Sequence, residues 1–187
     1  MASSPFLYFA GDRLSLAELS AARLDGDVVE LGDAYIPADA VETRALRAGS
    51  MAGILGENLA ATHLSAAWIH GVLYDAPVRH TVQRAVPRRL HRLPARSLVY
   101  RDLAVDVADL ELIGGVLVTA GLRTLCDLAR VEDPLHREAA VLLAKSRPGL
   151  ADESIDRLRR GALPHKRRAI AFLRSLTAEG DQDDVTR

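Results

Sequence analysis

VVELGDAYIP, residues 28–37, is the stretch that decides the N-terminal fold. Two short runs that favour β structure, at residues 28–31 and 34–36, flank the dipeptide Gly32-Asp33. Glycine and aspartate tolerate the backbone angles of a two-residue turn, so the pattern predicts a β-hairpin. Pro37 cannot donate a backbone hydrogen bond to a sheet, and it is predicted to end the second strand.

A short helix is predicted directly before this hairpin, at residues 14–24, with Gly26 as its stop signal. The expected apolar anchors of the helix are Leu16, Leu19 and Leu24. A helix followed by a tight hairpin is the back half of a winged helix-turn-helix. Residues 1–38 are therefore predicted to form a truncated winged-helix-like segment whose first helices are missing or reduced.

A second, mixed α/β domain is predicted for residues 39–178. Asp39 followed by Glu42 has the spacing of a capping box, for a helix that runs to about residue 55. Ser65 is the predicted N-cap of a short helix that follows. The link between the two predicted domains lies near residues 39–56.

The second half of that domain changes from β to α character. Residues 77–118 favour strands, with a break at Gly114-Gly115, and Thr119 is the predicted N-cap of the next helix. The predicted C-terminal helices are residues 135–146, residues 152–160, and a helix that begins near Pro164 and runs to residue 176. Residues 179–187 form an acidic tail. The sequence therefore predicts the α+β class, with a C-terminal helical segment.

Charge is strongly segregated along the 187 residues, although the net charge is only −1. The first 42 residues contain only two basic residues, Arg13 and Arg23. Their acidic residues are Asp12, Glu18, Asp25, Asp27, Glu30, Asp33, Asp39 and Glu42. Residues 79–101 and 157–174 contain basic residues and no carboxylate. Such segregation suggests partners of both signs, although charge runs are most often solvated faces.

The basic segment at residues 79–101 is the best candidate for a nucleic-acid-binding surface. Its arginines surround Pro87 and Pro94, which keep a loop extended, and guanidinium groups suit bidentate phosphate contacts. The predicted DNA-binding residues of this segment are Arg84, Arg88, Arg89, Arg92 and Arg96. Arg13 and Arg23 are the only basic candidates near the predicted winged helix. The alternative is a solvated, arginine-rich β-face without a ligand.

No catalytic constellation is visible, and the chain is predicted not to be an enzyme. There is no phosphate loop, no dinucleotide-binding glycine motif and no nucleophile elbow. Restriction-type nucleases place a carboxylate two residues before a lysine, but Leu143 precedes Lys145 and Pro164 precedes Lys166 at that spacing. A nucleotidyltransferase needs Gly-Ser followed by a nearby Asp-x-Asp, but Asp25-Gly-Asp27 lies before Gly49-Ser50, in the wrong order.

The single cysteine, Cys126, excludes an internal disulfide and a cysteine-rich metal site. The histidines show no metal-binding spacing, so we expect no tightly bound transition metal and no cofactor. The first ten residues do not resemble a signal peptide, and no apolar stretch has the length of a membrane span. A cytoplasmic location without membrane contact is the resulting expectation.

Four residues are predicted to have structural roles. Trp68, in a Ser-Ala-Ala-Trp context, is expected to be a buried core anchor rather than a platform for stacking bases. Arg123 and Asp127 are separated by four residues, so on one helix face they can form an ion pair. Together with Thr119 they are interpreted as caps and braces of this helix.

Three stretches together resemble one protein family. They are LSLAELSAARLDGDVVELGDAYI at residues 14–36, HLSAAWIHG at residues 63–71 and VLVTAGLRTLCDLAR at residues 116–130. In this order and spacing they resemble the AbiEi-type antitoxins of type IV toxin–antitoxin systems, especially actinobacterial members. The resemblance covers about residues 10 to 175.

The resemblance implies an N-terminal winged helix that binds operator DNA and represses the operon. It also implies a C-terminal α/β domain that counteracts a nucleotidyltransferase-like toxin, with or without stable contact. This chain departs from the pattern because only 13 residues precede residue 14 and because the segment is acidic. The alternative is a protein–protein interaction module that neutralises its partner without binding DNA.

Overall fold

The computed structural model describes residues 4–90 and 98–184. Within these residues there are seven β-strands and eight α-helices. The strands are β1 (Val28–Leu31), β2 (Ala34–Pro37), β3 (Leu59–Ala61), β4 (His80–Arg84), β5 (Leu98–Ala104), β6 (Leu110–Ile113) and β7 (Val116–Thr119). The helices are α1 (Leu16–Asp25), α2 (Arg44–Ser50), α3 (Ala52–Leu55), α4 (His63–Ile69), α5 (Gly121–Ala129), α6 (Pro134–Ser146), α7 (Leu150–Arg160) and α8 (Lys166–Asp184).

The central feature is a five-stranded mixed sheet with the strand order β5-β4-β3-β7-β6. The neighbours β3 and β7 are parallel, as are β4 and β5, whereas β3 pairs with β4 and β6 with β7 in antiparallel fashion. Strands β1 and β2 form a separate two-stranded sheet. The predicted α+β class is confirmed.

The predicted N-terminal hairpin is confirmed, including its turn. Leu31 pairs with Ala34 across Gly32-Asp33, and the strands are antiparallel. The anchors predicted for α1 are wrong in two of three cases, because Leu16 and Leu24 are exposed and only Leu19 is buried. The winged-helix interpretation of this segment stays a prediction.

The apolar core has two clusters. The first lies between the five-stranded sheet and the hairpin, and it includes Leu31 and Ile36 from the hairpin, Val82 and Val118 from the sheet, and Trp68 from α4. The second joins the C-terminal helices and contains Leu125, Leu128, Leu143, Leu158 and Leu173. The burial of Trp68 confirms its prediction as a core anchor. The hairpin therefore packs against the sheet through this first cluster.

The predicted first cap of the second domain is wrong. Helix α2 begins at Arg44, and its N-cap is Thr43, whose hydroxyl oxygen accepts a hydrogen bond from the Leu46 amide at 3.2 Å. Glu42 instead forms an ion pair with Arg47 at 2.6 Å, which takes the carboxylate away from the backbone. The single predicted helix is divided at Met51 into α2 and α3.

Ser65 and Thr119 are not N-caps either. Helix α4 begins two residues before Ser65, whose hydroxyl oxygen accepts a hydrogen bond from the Thr81 amide at 2.9 Å. Thr119 is the last residue of β7, and its hydroxyl lies 2.8 Å from that of Thr124. In both cases the hydroxyl ties a helix to the sheet, and the N-cap position of α5 belongs to Ala120.

The other predicted elements of the second half have the expected type. The β6–β7 turn falls at Gly114-Gly115, and α6 and α7 lie where they were predicted. Helix α8 begins two residues after Pro164 and extends to Asp184, beyond the expected end near residue 176. No helix in the described residues combines the length and the apolar character that crossing a membrane requires.

Candidate functional site

An apolar cavity of about 570 Å³ lies beside the N-terminal residues. The N-terminal residues Phe6, Leu7 and Phe9 form one wall of the cavity, and Val41 lies on another. Helix α2 and the β6–β7 turn at Gly114 complete the lining. Apolar cavities of this size commonly receive ligands or the side chains of partner proteins.

Two glycines allow the walls of this cavity to approach each other. A Cβ atom on Gly49 would lie 2.7 Å from Cδ1 of Leu7, so with any larger residue here the Leu7 side chain would have to shift. Gly114 has φ +56°, and a Cβ atom there would collide with the carbonyl oxygen of Ala45. The position of the cavity therefore depends on contacts between segments that are distant in sequence.

The lining of the cavity includes exposed apolar side chains, and two acidic residues adjoin it in sequence. Phe6 is 55% exposed and Val41 is 80% exposed, although both line the cavity. Asp39 and Glu42 flank the lining residues Ala40 and Val41 in sequence. The acidic residues of the first 42 positions are all exposed: Asp12, Glu18, Asp25, Asp27, Glu30, Asp33, Asp39 and Glu42. Together these residues, with the cavity, are called the acidic–apolar face below.

The expectation that Arg84 presents an exposed guanidinium to DNA is wrong. Arg84 ends β4 and is only 8% exposed. Its Nε lies 2.8 Å from Asp102 on β5, and its Nη1 donates to the carbonyl oxygens of Val86 and Pro87. Asp102 forms an ion pair with Arg84, and the two carbonyl oxygens accept from its Nη1, so Arg84 holds the loop that follows β4.

The neighbouring arginines of the basic segment are more accessible. Arg88 and Arg89 are both exposed. Arg88 donates to Oδ1 of Asn58 at 3.2 Å, and Arg89 lies 3.5 Å from Asp102. The predicted sites Arg92 and Arg96 lie outside the described residues.

The two predicted N-terminal arginines are exposed and isolated from other cations. Arg13 lies over the Tyr8 ring, 5.3 Å from its centroid, and Arg23 pairs with Glu30 at 3.3 Å. Acidic side chains dominate their surroundings in sequence. A phosphate backbone would meet net repulsion here, because binding depends on replacing counterions with protein cations.

The predicted Arg123–Asp127 pair exists and belongs to a larger network, called the buried ion network below. Arg123 bonds Asp127 at 2.8 Å and Asp109 at 2.8 Å. Arg130 also bonds Asp127, at 3.0 Å, and Arg157 bonds Asp109 at 2.6 Å. Both carboxylates are almost completely buried, and each has two guanidinium partners. The network connects α5 to α7 and to the residues that precede β6.

Cys126 and the histidines offer neither a nucleophile nor a metal site in the residues described. Burial raises the pKa of the Cys126 thiol to about 11, so it is a neutral thiol at neutral pH. No group of three or more metal-ligating side chains occurs within residues 4–90 and 98–184.

His63 is the functional candidate that the sequence did not indicate. It begins α4 with φ +51°, a conformation that is uncommon for residues other than glycine, and its side chain is buried. Burial, together with the smaller effects of the cationic groups Arg101, His136, Arg130 and Arg123, lowers the pKa of His63 to about 2. No periodicity or motif predicts that these residues meet.

Acid is expected to destabilise the protein through His63. Below about pH 6.5 the His63 side chain is protonated in the unfolded chain but remains neutral in the folded chain. The free energy of unfolding therefore falls by about 1.4 kcal/mol for each unit by which the pH is lowered. The variant His63→Asn, which tolerates a positive φ, should lose this part of the slope. Urea unfolding between about pH 4.5 and 6.5 measures it. Burial also lowers the pKa values of His70 and His80, so the variant should keep the part of the pH dependence that these residues cause. If wild type and variant showed the same pH dependence of stability, His63 would not be its source.

Comparison with known proteins gives little beyond these observations. No family model matches the chain, and no curated protein matches it. Among solved structures, the crystal structure of the RV2827C protein from Mycobacterium tuberculosis is similar at 18% sequence identity. The similarity covers 83% of this chain and 69% of that chain, with a TM-score of 0.35.

Proposed function

We propose that the chain is a non-enzymatic antitoxin of a type IV toxin–antitoxin pair, and that it binds a nucleotidyltransferase-like toxin through its acidic–apolar face. The observation that carries the proposal is the cavity of about 570 Å³, whose lining includes exposed Phe6 and Val41 and is adjoined in sequence by exposed Asp39 and Glu42. The three sequence stretches that resemble AbiEi-type antitoxins supply the class of partner.

The chemistry of the partner agrees with the charge of this face. A nucleotidyltransferase binds a nucleoside triphosphate and a nucleic-acid acceptor, and such clefts are lined with basic residues. A surface of exposed carboxylates complements that cleft and increases the association rate. An apolar side chain of the toxin would enter the cavity and become a desolvated anchor, the usual origin of strong interface residues.

Val41→Lys is expected to abolish the complex without unfolding the antitoxin. Val41 is 80% exposed, so the change costs at most about 0.5 kcal/mol of stability, but it places a cation at the mouth that receives the basic partner. The assay is co-purification with the product of the neighbouring reading frame, which the proposal expects to be a nucleotidyltransferase, together with rescue of growth. Val78→Lys is the matched control, since Val78 is 98% exposed and does not line the cavity. Retained binding by Val41→Lys, or no complex with wild type, would refute the proposal.

Operator DNA binding by the basic segment is the second candidate function. It is favoured by Arg88 and Arg89, which are adjacent and exposed after β4. If these residues and Arg92 contact phosphates, the logarithm of affinity falls against the logarithm of salt with a slope of about −0.9 per phosphate contact.

Replacing Arg88, Arg89 and Arg92 by alanine should therefore weaken DNA binding and reduce that slope by about 2 to 3. The comparison variant replaces Arg13 and Arg23, and it should bind DNA like wild type because those arginines lie among carboxylates. The measurement is a salt titration with a duplex from the operon's own promoter. If the Arg13 and Arg23 variant lost DNA binding and the other variant retained it, the winged-helix geometry would be favoured. If wild type did not bind DNA at low salt, the protein-binding function would be the only one left.

A further inference from the structure

His70, the C-cap residue of α4, contacts two other elements through its two ring nitrogens. Its Nδ1 lies 2.9 Å from Nη2 of Arg44, the first residue of α2. Its Nε2 lies 2.8 Å from the carbonyl oxygen of Thr119, the last residue of β7. The same Nη2 of Arg44 donates to Oε2 of Glu111 on β6 at 3.2 Å. One imidazole therefore connects α2 and α4 to the β6–β7 hairpin, and these four residues are called the His70 latch below.

The two partners of the ring define its protonation state. A guanidinium group can only donate hydrogen bonds, so Nδ1 of His70 must accept the bond from Arg44. A carbonyl oxygen can only accept, so Nε2 must carry the ring proton that points to Thr119. The neutral Nε2–H tautomer satisfies both contacts, whereas the imidazolium also has a proton on Nδ1 and would direct two donors at each other. Protonation of His70 is therefore incompatible with its bond to Arg44.

The charged groups around the ring are one cation from α2 and one carboxylate from β6. Burial lowers the pKa of His70, and the bond to the Thr119 carbonyl opposes this effect. Arg44 lowers the pKa and Glu111 raises it by smaller amounts. The side chains of Arg44 and Glu111 are 50% and 44% exposed, and they are bonded to each other. Arg44 can therefore leave a protonated ring without becoming a buried, unpaired charge, since Glu111 and water remain as its partners.

The latch belongs to the two elements that form walls of the cavity. Arg44 stands between the lining residues Thr43 and Ala45 in α2, and Glu111 lies on the strand that leads to the lining residue Gly114. These walls are in direct contact, because a Cβ atom on Gly114 would collide with the carbonyl oxygen of Ala45. The way in which Arg44 is held therefore contributes to the position of the α2 wall.

We propose that the His70 latch is pH-sensitive: the neutral ring holds the start of α2 against α4 and the β6–β7 hairpin, and protonation releases Arg44 and loosens this wall of the cavity. Arg47, one turn later in α2, donates to the carbonyl oxygens of Trp68 and Leu73, and these bonds involve no histidine. Only the first turn of α2 is therefore expected to move. The consequence for the partner rests on the proposed function, since a loosened wall is a less preorganised receptor for an anchor side chain. The latch itself is a property of the chain alone.

The test is an NMR titration of the full chain, without a partner, from about pH 7.5 to about pH 4.5. The ring nitrogen resonances of His70 are expected to show the Nε2–H tautomer at neutral pH. On acidification, the Nε resonance of Arg44 and the backbone amides of Ala45 and Gly114 should shift with the same midpoint as the His70 ring. The Nε resonance of Arg47, which is bonded to a carboxylate and not to a histidine, should not follow that midpoint.

His70→Gln is the decisive variant, because its neutral carboxamide can accept from Arg44 and donate to the Thr119 carbonyl. The latch should stay closed in this variant, and the pH-dependent shifts at Arg44 and Ala45 should be lost. His165→Asn is the matched control, since it removes an exposed histidine that takes no part in these contacts and tolerates the positive φ of that position. It should titrate like wild type.

Persistence of the Arg44 and Ala45 shifts in His70→Gln would overturn the proposal. So would the Nδ1–H tautomer in neutral wild type, or titration of His70 without a change at Arg44, and both of these are measured on wild type and require no variant to fold. Because the titration contains no toxin, a failure of the proposed antitoxin function would not change its outcome, and the two proposals are tested separately.

Discussion

Asp127→Ala is expected to lower the free energy of unfolding by about 3–5 kcal/mol. The Asp127 side chain is 1% exposed and accepts hydrogen bonds from Arg123 and Arg130, whose side chains are themselves largely buried. Removing the carboxylate leaves two buried guanidinium groups facing each other and the remaining cations of the network. Repulsion between these groups adds to the cost of the lost hydrogen bonds.

Urea unfolding followed by circular dichroism measures this effect. The matched control is Asp156→Ala, which removes an exposed carboxylate from an ion pair with Arg159 on α7. Exposed pairs of this kind contribute about 0–1 kcal/mol, so the control should remain close to wild type. If both variants lost the same small amount of stability, the buried ion network would have no special structural role.

Trp68→Ala is expected to cost about 3–5 kcal/mol, since it removes the largest buried side chain of the first core cluster. Trp68 is 1% exposed and lies against Arg47, whose guanidinium is 5.5 Å from the ring centroid, and His80, whose ring centroid is 6.0 Å away. Its ring also approaches Gly32 in the β1–β2 turn. A cavity at this position would loosen the hairpin from the sheet.

Thermal and urea unfolding test this prediction, with Trp68→Phe as a variant that keeps an aromatic ring. Trp68→Phe should lose clearly less stability than Trp68→Ala, because its residual cavity is smaller. Trp68 is the single tryptophan of the chain, so its fluorescence should show the blue-shifted emission of a buried indole and a red shift on unfolding. Emission typical of an exposed indole in the native protein would contradict the placement of this residue in the core.

Elements with strong local signals could be predicted from the sequence. The turn at Gly32-Asp33 is one example, because the residues themselves select the turn geometry. The caps at Glu42 and Ser65 failed for a shared reason: each side chain had a tertiary partner, Arg47 or the Thr81 amide, that competed with the helix terminus. The prediction that Leu16 and Leu24 are buried anchors failed because α1 contributes only Leu19 to the core.

The candidate site was only partly predictable, because its parts are distant in sequence. The cavity depends on Leu7 against Gly49 and on Gly114 against Ala45, and none of these pairs has a local signature. Arg84 appeared to be a phosphate ligand because the sequence does not reveal that Asp102 lies opposite it on the adjacent strand. Charge patterning correctly indicated the exposed carboxylates, because exposure is the default for unpaired acidic side chains.

The parallel pairing of β3 with β7 has a consequence during synthesis of the chain. Ala60 pairs with Leu117, so one edge of β3 has no partner until β7 has left the ribosome. At about 5–20 residues per second, that interval lasts roughly 3–11 s, during which an apolar strand edge is open to other nascent chains. The central strand is then enclosed in one late step, when the β6–β7 hairpin docks and α5 follows it. Polypeptides interrupted before β7 would therefore be the aggregation-prone products of this gene, and the complete chain would escape that fate by closing its own sheet.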